Sequence, residues 1–329
     1  MQNRKLVVTN INDDLREALE IKTETIKQPG SGEILVKNLF SGVNAADYLM
    51  AAGRYLSNNP PPFDLGSESA GEVIAVGEGV ENLKVGDHVS VLSGGYSEYF
   101  LTKARFAIPV PQATAEVVGL MVSGLTAIIA LEEIARIKKG ETVLVTAAAG
   151  GTGSFAVQLA KAAGCTLIGT CSSDEKVDYL NSLGCDRPIN YKKEDLKSVL
   201  KNEFPKGVDV VFDGVGGRTF DIALNALAIR GRLLVIGAIS EYQTGPQPVS
   251  DLRIGYKLMN RSASIHGFWL MNFLNELPAY GQKLIAALME GKIISSIDST
   301  EFIGLEGALD AIEYLYSGAN AGKVVVRYQ

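Results

Sequence analysis

Apolar positions in the first third of the chain come in short runs, at 33–40, 71–76, 88–92 and 96–101, separated by turn clusters such as Pro29-Gly30-Ser31-Gly32. Runs of that length between glycine and proline predict short strands, so the stretch from Lys5 to about Pro111 reads as an all-β-like unit. From about Ser123 the pattern changes. Strand-like segments at 142–146, 166–170, 208–212, 233–236 and 264–266 alternate with helical patterns. Such alternation predicts a parallel sheet covered by helices on both faces, an α/β unit. The remainder, from Gly267, holds helix patterns at 284–290 and 306–316 and a final strand at 323–327. That strand could rejoin the first unit's sheet, although sequence order does not decide it. The most apolar run, 117–131, is interrupted by Ser123, Gly124 and Thr126. It is shorter than the ~20 residues needed to span a bilayer and reads as a buried helix.

One junction carries chemistry. The strand pattern Thr142-Val143-Leu144-Val145-Thr146 enters Ala147-Ala148-Ala149-Gly150-Gly151-Thr152-Gly153 and leaves as a helix. Strand, glycine turn and helix start put free backbone N–H groups and the positive helix end where a pyrophosphate can sit. Gly150 and Gly153 fill two positions of G-x-G-x-x-G, with Ala148 at the first. A second strand follows after one helix's length, as a parallel crossover for dinucleotide binding requires. A generic glycine turn in an α/β protein is the plainer alternative.

The tip of that second strand bears on which dinucleotide. NAD sites usually place Asp or Glu there to accept from the ribose 2′-OH. Here the tip reads Cys171-Ser172-Ser173, followed by Lys176. Two hydroxyls and an ammonium suit a 2′-phosphate, so NADPH is favoured over NADH. Two features complicate this. Ser172 and Glu175 have the S-x-x-E spacing of a capping box. Asp174 and Glu175 would also oppose a phosphate if they pointed inward.

Composition narrows the function classes. A chain of 329 residues with 47% hydrophobic and 21% charged residues suggests a globular protein of two domains. A net charge of −6 without a dense basic run argues against nucleic acid or an anionic membrane as partner. Cys165, Cys171 and Cys185 form no C-x-x-C pair, which fits a reducing compartment and suggests neither a disulfide framework nor a zinc knuckle. Residues 1–14 contain no continuous hydrophobic segment and the last residues no peroxisomal address, so a cytoplasmic location is expected.

Several strings together resemble the zinc-free medium-chain dehydrogenase/reductases of the quinone oxidoreductase-like group, almost end to end. They are Pro29-Gly30-Ser31-Gly32-Glu33-Ile34-Leu35-Val36, Gly66-Ser67-Glu68-Ser69-Ala70-Gly71, Val85-Gly86-Asp87-His88-Val89 and Ala148-Ala149-Gly150-Gly151-Thr152-Gly153. Long strings at 171–176, 183–192 and 242–244 narrow the resemblance within the group. It implies a GroES-like catalytic domain, 1–122 with 267–329, and a Rossmann domain, 123–266, that binds NADPH. It also implies cofactor contacts from Gly150, Gly151 and Thr152 at the pyrophosphate, and from Ser172 and Lys176 at the 2′-phosphate. Tyr191 would lie beside the adenosine, Gly214, Ile236 and Tyr242 along the sheet's carboxyl edge, and Phe268, Trp269, Leu270 and Asn320 around the nicotinamide. Relatives often carry Ser where this chain has Gly214. A homodimer is expected.

Zinc-dependent relatives place Cys and His at the positions of Asn44 and Ser67, and the chain has only His88 and His266. No zinc ligand set can be assembled there. His88 reads as a strand residue and His266 as a buried one at a strand end. Without a metal the chemistry rests on the cofactor and a polarising donor. The resemblance points to reduction of the conjugated C=C of an α,β-unsaturated ketone, 15-keto prostaglandins and related enones among them. Hydride goes to the β-carbon and a donor stabilises the enolate oxygen. Tyr242, in Ile239-Ser240-Glu241-Tyr242, is the first candidate; Tyr55, Tyr48 and Asn44 follow, and a loop tyrosine such as Tyr55 can equally serve packing alone. The aromatic stretch Phe268 to Phe273 suits an apolar substrate or a core. Quinones fit the same chemistry. A crystallin-like NADPH-binding protein with little turnover is the rival class, and the absence of an aromatic-basic stripe counts against RNA.

Overall fold

The computed structural model describes residues 2–55, 60–245, 248 and 253–329. They form two compact units, Met1–Val122 with Asn275–Gln329, and Ser123–Leu274. Residues 267–274, grouped with the first domain on sequence, cluster with the second.

The first unit begins with β1 (Gln2–Val8), β2 (Leu19–Thr25), β3 (Glu33–Gly42), β4 (Phe63–Asp64), β5 (Ser69–Val76), β6 (His88–Val91), β7 (Tyr99–Lys103) and β8 (Ala107–Val110). The amino end, where no strand was placed individually, is β1, paired antiparallel with β2 over its full length. The strand expected at 96–101 starts three residues later, because Tyr96 N–H is spent on the Leu65 carbonyl at 3.1 Å rather than on a ladder. Ile34 and Val36 of β3, Val73 of β5 and Val89 and Val91 of β6 alternate inward to form this unit's core.

The second unit carries β9 (Thr142–Val145), β10 (Thr166–Cys171), β11 (Arg187–Asn190), β12 (Val208–Asp213), β13 (Leu227–Val235) and β14 (Ser264–Gly267). All are parallel, in the order β11-β10-β9-β12-β13-β14. Counted within the unit this is 3-2-1-4-5-6, the doubly wound arrangement in which ligands bind beyond the carboxyl ends of the strands where the order reverses. Here that point lies between β9 and β12. Val143, Leu144 and Val145 are fully buried because helices cover both faces of a parallel sheet, which is why this strand reads as an unbroken apolar run. His266 departs from the buried position expected for it. It lies on the edge strand β14, is only half-buried, and its ring Nε2 meets Ser264 Oγ at 2.9 Å.

The chain closes with β15 (Phe302–Ile303) and β16 (Val325–Arg327) in the first unit. β16 pairs antiparallel with β3, so the last strand does rejoin the first unit's sheet, whose order is β15-β16-β3-β5-β6-β8 with β7 also on β3. The helix expected at 284–290 is longer, Leu277–Met289, begun by a proline in its first turn. The apolar run expected as a buried helix is helical over Ala115–Ala135, and 78% of its most apolar window is buried inside the protein.

Candidate functional site

At the carboxyl end of β9 the backbone turns sharply. Ala147 has φ +46°, a left-handed conformation that is rare outside glycine and costs on the order of 1 kcal/mol. Gly150 then caps the helix Gly151–Ala162 with no side-chain bond. The N–H groups of Gly151, Thr152 and Gly153 have no intrahelical acceptor and point out of the positive helix end. A Cβ on Gly153 would lie 2.4 Å from the Ala147 carbonyl oxygen, so only glycine lets this helix pack so close to the strand. The unspent amides and bare loop fit a pyrophosphate.

Across the switch point, β12 ends in Asp213, fully buried. Its Oδ1 accepts from Thr146 Oγ at 2.6 Å and from Val215 N at 3.1 Å, and its Oδ2 from Gly216 N at 3.2 Å. Burial pushes its pKa up, and these bonds offset part of that. Thr146 Oγ in turn accepts from Gly214 N at 2.9 Å, tying the tips of β9 and β12 together. A Cβ at Gly214 would meet nothing within 4 Å. The serine found in relatives would therefore fit, and its absence leaves room beside the crevice. Neither Thr146 nor Asp213 stood out in the sequence; a Thr just past one buried apolar strand and an Asp ending another were the available signal.

The tip of β10 carries the hydroxyls. The helix Asp174–Ser182 is capped by Ser173, whose Oγ accepts from Lys176 N at 3.3 Å. This corrects the capping box by one residue. Ser173, not Ser172, caps the helix and engages Glu175, so the half-buried Ser172 hydroxyl is left without a hydrogen-bond partner among the described residues. Neither acidic residue faces inward uncompensated: the Asp174 carboxylate is held by Asn190 Nδ2 at 2.9 Å and by the Lys193 ammonium. Next to this tip, Tyr191 donates its N–H to the Cys171 carbonyl at 3.1 Å and leaves its side chain 54% exposed.

The β13 end places Tyr242. Ile236 N bonds the Asp213 carbonyl at 2.8 Å, and the following loop folds back so that Tyr242 Oη accepts from Ala238 N at 3.0 Å. The hydroxyl sits directly over Gly237, where a Cβ would be 2.8 Å from it. Beyond β14, Phe268 N bonds the Val235 carbonyl at 3.0 Å and its ring stacks on Phe273 at 5.1 Å, with Leu270 buried and Trp269 exposed. Gly150, Gly151, Thr152, Ser172, Lys176, Tyr191, Gly214, Ile236, Tyr242, Phe268, Trp269 and Leu270 thus all lie in the second unit, on segments following its strands or opening its helices.

The other expected site residues lie in the first unit, where the arrangement is different. Asn44 is buried. Its Nδ2 donates to Glu68 Oε1 at 2.9 Å and to the Gly42 carbonyl at 3.3 Å, and its Oδ1 accepts from Lys323 Nζ at 2.8 Å. Lys323, 3% exposed, pairs with the fully buried Glu68 at 2.6 Å and donates to the Val43 carbonyl at 2.8 Å, while Glu68 Oε2 accepts from Val122 N at 2.6 Å. Beside them Asp47 accepts from Tyr96 Oη at 2.7 Å and from Asn44 N at 2.8 Å, while its Oδ1 has no partner among the described residues. Burial pushes the Asp47 pKa up to about 6. Tyr48 packs against Tyr316 with ring centroids 4.8 Å apart, Tyr55 follows the helix end, its N–H on the Leu49 carbonyl at 3.1 Å, and Asn320 donates to the Gly322 carbonyl at 2.9 Å. Lys323 was legible only as the start of a final strand, since nothing in sequence distinguishes a buried lysine from a solvated one.

This cluster bears on metal. Zinc would need thiolate and imidazole at Asn44 and Ser67, and the amide and hydroxyl there are poor substitutes. The Lys323 ammonium already holds the oxygens of Glu68 and Asn44, where its charge would oppose a dication. Among the described residues, no group of three or more His, Cys, Asp or Glu side chains could hold a metal ion. The residues present do not fit zinc.

Comparison with known proteins agrees with this architecture. Residues 30–112 match the family described as alcohol dehydrogenase GroES-like domain, and residues 151–287 the one described as zinc-binding dehydrogenase. The chain is 45% identical to mouse prostaglandin reductase-3 over 98% of its length and 89% of the relative's. It is 44% identical to a protein of Leishmania amazonensis described as a probable quinone oxidoreductase, over 99% of this chain and 98% of that one. Among solved structures, Escherichia coli quinone oxidoreductase complexed with NADPH superposes with a TM-score of 0.86, at 29% identity and 99% coverage of each chain. The chain therefore belongs to the medium-chain dehydrogenase/reductase family, in its quinone oxidoreductase group, and is an oxidoreductase that uses NADPH.

Proposed function

We propose that this reductase acts on the conjugated C=C of α,β-unsaturated ketones, with Tyr242 as the polarising donor. The observation that carries the reading is the Tyr242 hydroxyl, held over Gly237 at the carboxyl edge of the parallel sheet by the Ala238 N–H. A hydroxyl that accepts such a bond is polarised into a better donor. When bound, NADPH supplies the hydride that the β-carbon receives. Tyr242 would then stabilise the charge that develops on the carbonyl oxygen, and solvent would protonate the α-carbon.

In this reading Gly150, Gly151 and Thr152 hold the pyrophosphate, Ser172 and Lys176 the 2′-phosphate, and Tyr191 the adenosine. Gly214, Ile236, Phe268, Trp269 and Leu270 line the remainder. Asn44 has both polar ends committed within its own unit, so it positions the segment 42–48 rather than polarising substrate, and Tyr55 is the next donor to test. Quinones are the second substrate class, favoured by the names of two of the relatives. The similarity to prostaglandin reductase-3 supports a lipid enone such as a 15-keto prostaglandin.

The test is loss of NADPH absorbance with a panel of enones and quinones. Turnover of enones well above quinones supports the reading, the reverse order favours quinones, and binding of NADPH without turnover on either class overturns both. We also propose a homodimer in a reducing, cytoplasmic setting. β14 ends its sheet, with no further strand on its outer edge among the described residues, and the same unit exposes Ile229, Tyr256 and Met259 by 77%, 63% and 67%. Three buried free cysteines suit reducing conditions. A monomeric mass by light scattering at micromolar concentration would contradict the dimer.

A further inference from the structure

We propose that Lys193 and Asn190 set the preference for the 2′-phosphorylated cofactor from outside the phosphate site, by taking up the carboxylate of Asp174. The inference rests on Ser172 and Lys176 being that phosphate site. Asp174 opens the helix that follows the β10 tip, two residues past Ser172. A carboxylate near a strand tip favours an unphosphorylated ribose, because a 2′-phosphate brings nearly two negative charges.

In this chain both oxygens of Asp174 are engaged from the side. Oδ1 accepts from Asn190 Nδ2 at 2.9 Å and Oδ2 from the Lys193 ammonium. Asn190 is buried and organises the turn that makes this possible. Its Oδ1 accepts from Lys192 N at 3.1 Å, and its carbonyl from Lys193 N and Glu194 N, each at 2.9 Å. β10 and β11 set the register, with Cys171 opposite Asn190, so the turn that presents Tyr191 beside the tip also delivers Lys193 to Asp174. The ammonium holds the Asp174 pKa below the usual carboxylate range, so the charge is answered by a counter-ion and not by protonation. The pair is 59% to 64% exposed, and exposed pairs add little to stability, so its consequence is the local potential.

The experiment measures dissociation constants for NADPH and NADH by titration calorimetry on the intact protein. Lys193→Ala should weaken NADPH about 5-fold at low salt and leave NADH within about 2-fold, as one uncompensated surface charge near a dianion would do. Asp174→Asn alone should leave NADPH binding as tight as or tighter than in the native protein. Adding it to Lys193→Ala should restore most of the loss. If the double variant stays as weak as Lys193→Ala, Lys193 meets the phosphate itself and the inference is overturned. Lys176→Ala is the control. If it weakens NADPH alone while Lys193→Ala changes nothing, only the present inference fails; if it weakens both cofactors equally, the phosphate-site reading fails beneath it.

Discussion

The carboxyl edge of the parallel sheet and the polar cluster around Glu68 hold comparable numbers of polar groups and treat them in opposite ways. At the sheet edge the amides of Gly151 to Gly153 and the Ser172 hydroxyl have no acceptor or donor among the described residues, and Gly214 leaves open space. In the cluster, Asn44, Glu68 and Lys323 are buried and spend their bonds on one another. Unspent donors at the surface of a rigid sheet are available to a ligand; buried and mutually satisfied groups fix the backbone that carries them. Asn44, a candidate substrate-side residue on sequence, has its side chain engaged by Glu68 and Lys323 in the cluster.

The sharpest test of this difference is to break the buried pair. Glu68→Gln or Lys323→Met alone strands a buried charge and should cost about 3–5 kcal/mol of stability, whereas the two together should cost clearly less than the sum. Chemical denaturation of the four proteins measures the coupling. Independent, additive losses would mean that the cluster is not a unit.

Asp47 adds a pH dependence. Its folded pKa of about 6 lies above the ordinary aspartate value of 3.8, so the folded state holds its proton longer than the unfolded state does. Stability from this group is therefore highest below about pH 4 and falls as pH rises toward 6. Asp47→Asn should flatten that fall, which is on the order of 3 kcal/mol. An unchanged stability profile between pH 4 and 6 would show that the orphaned Oδ1 is answered in solution.

At the sheet edge, Tyr242→Phe keeps the ring and removes the hydroxyl. We expect kcat to fall at least ~10-fold with the fold intact, since a donor used in the transition state is lost. Native kcat and KM on the best substrate would make Tyr242 a packing residue. The smallest effect is expected from chelation. With the Lys323 ammonium on Glu68 and Asn44, and no thiolate or imidazole at Asn44 and Ser67, prolonged dialysis against a strong chelator should leave Tm and turnover unchanged, and zinc at one equivalent per chain with activity lost on its removal would refute the assignment.

The β9 glycine turn, the alternation of strands and helices and the Cys171-Ser172-Ser173 tip are local patterns. Each depends on residues within a few positions of one another, so periodicity and turn chemistry predict them, and with them the doubly wound sheet and its dinucleotide. The cap was misread by one residue for the same reason in reverse: two adjacent serines offer the same local chemistry, and only the backbone path into the helix chooses Ser173. Pairings across long separations were beyond such reasoning. Glu68 and Lys323 are 255 positions apart and meet because β16 returns to β3 at the chain's end. Asp174 and Lys193 meet because β10 and β11 run in register. A lysine or aspartate carries no mark in sequence of whether its charge faces water, a counter-ion or a ligand; the strand that arrives beside it settles that, and with it whether the residue binds or holds.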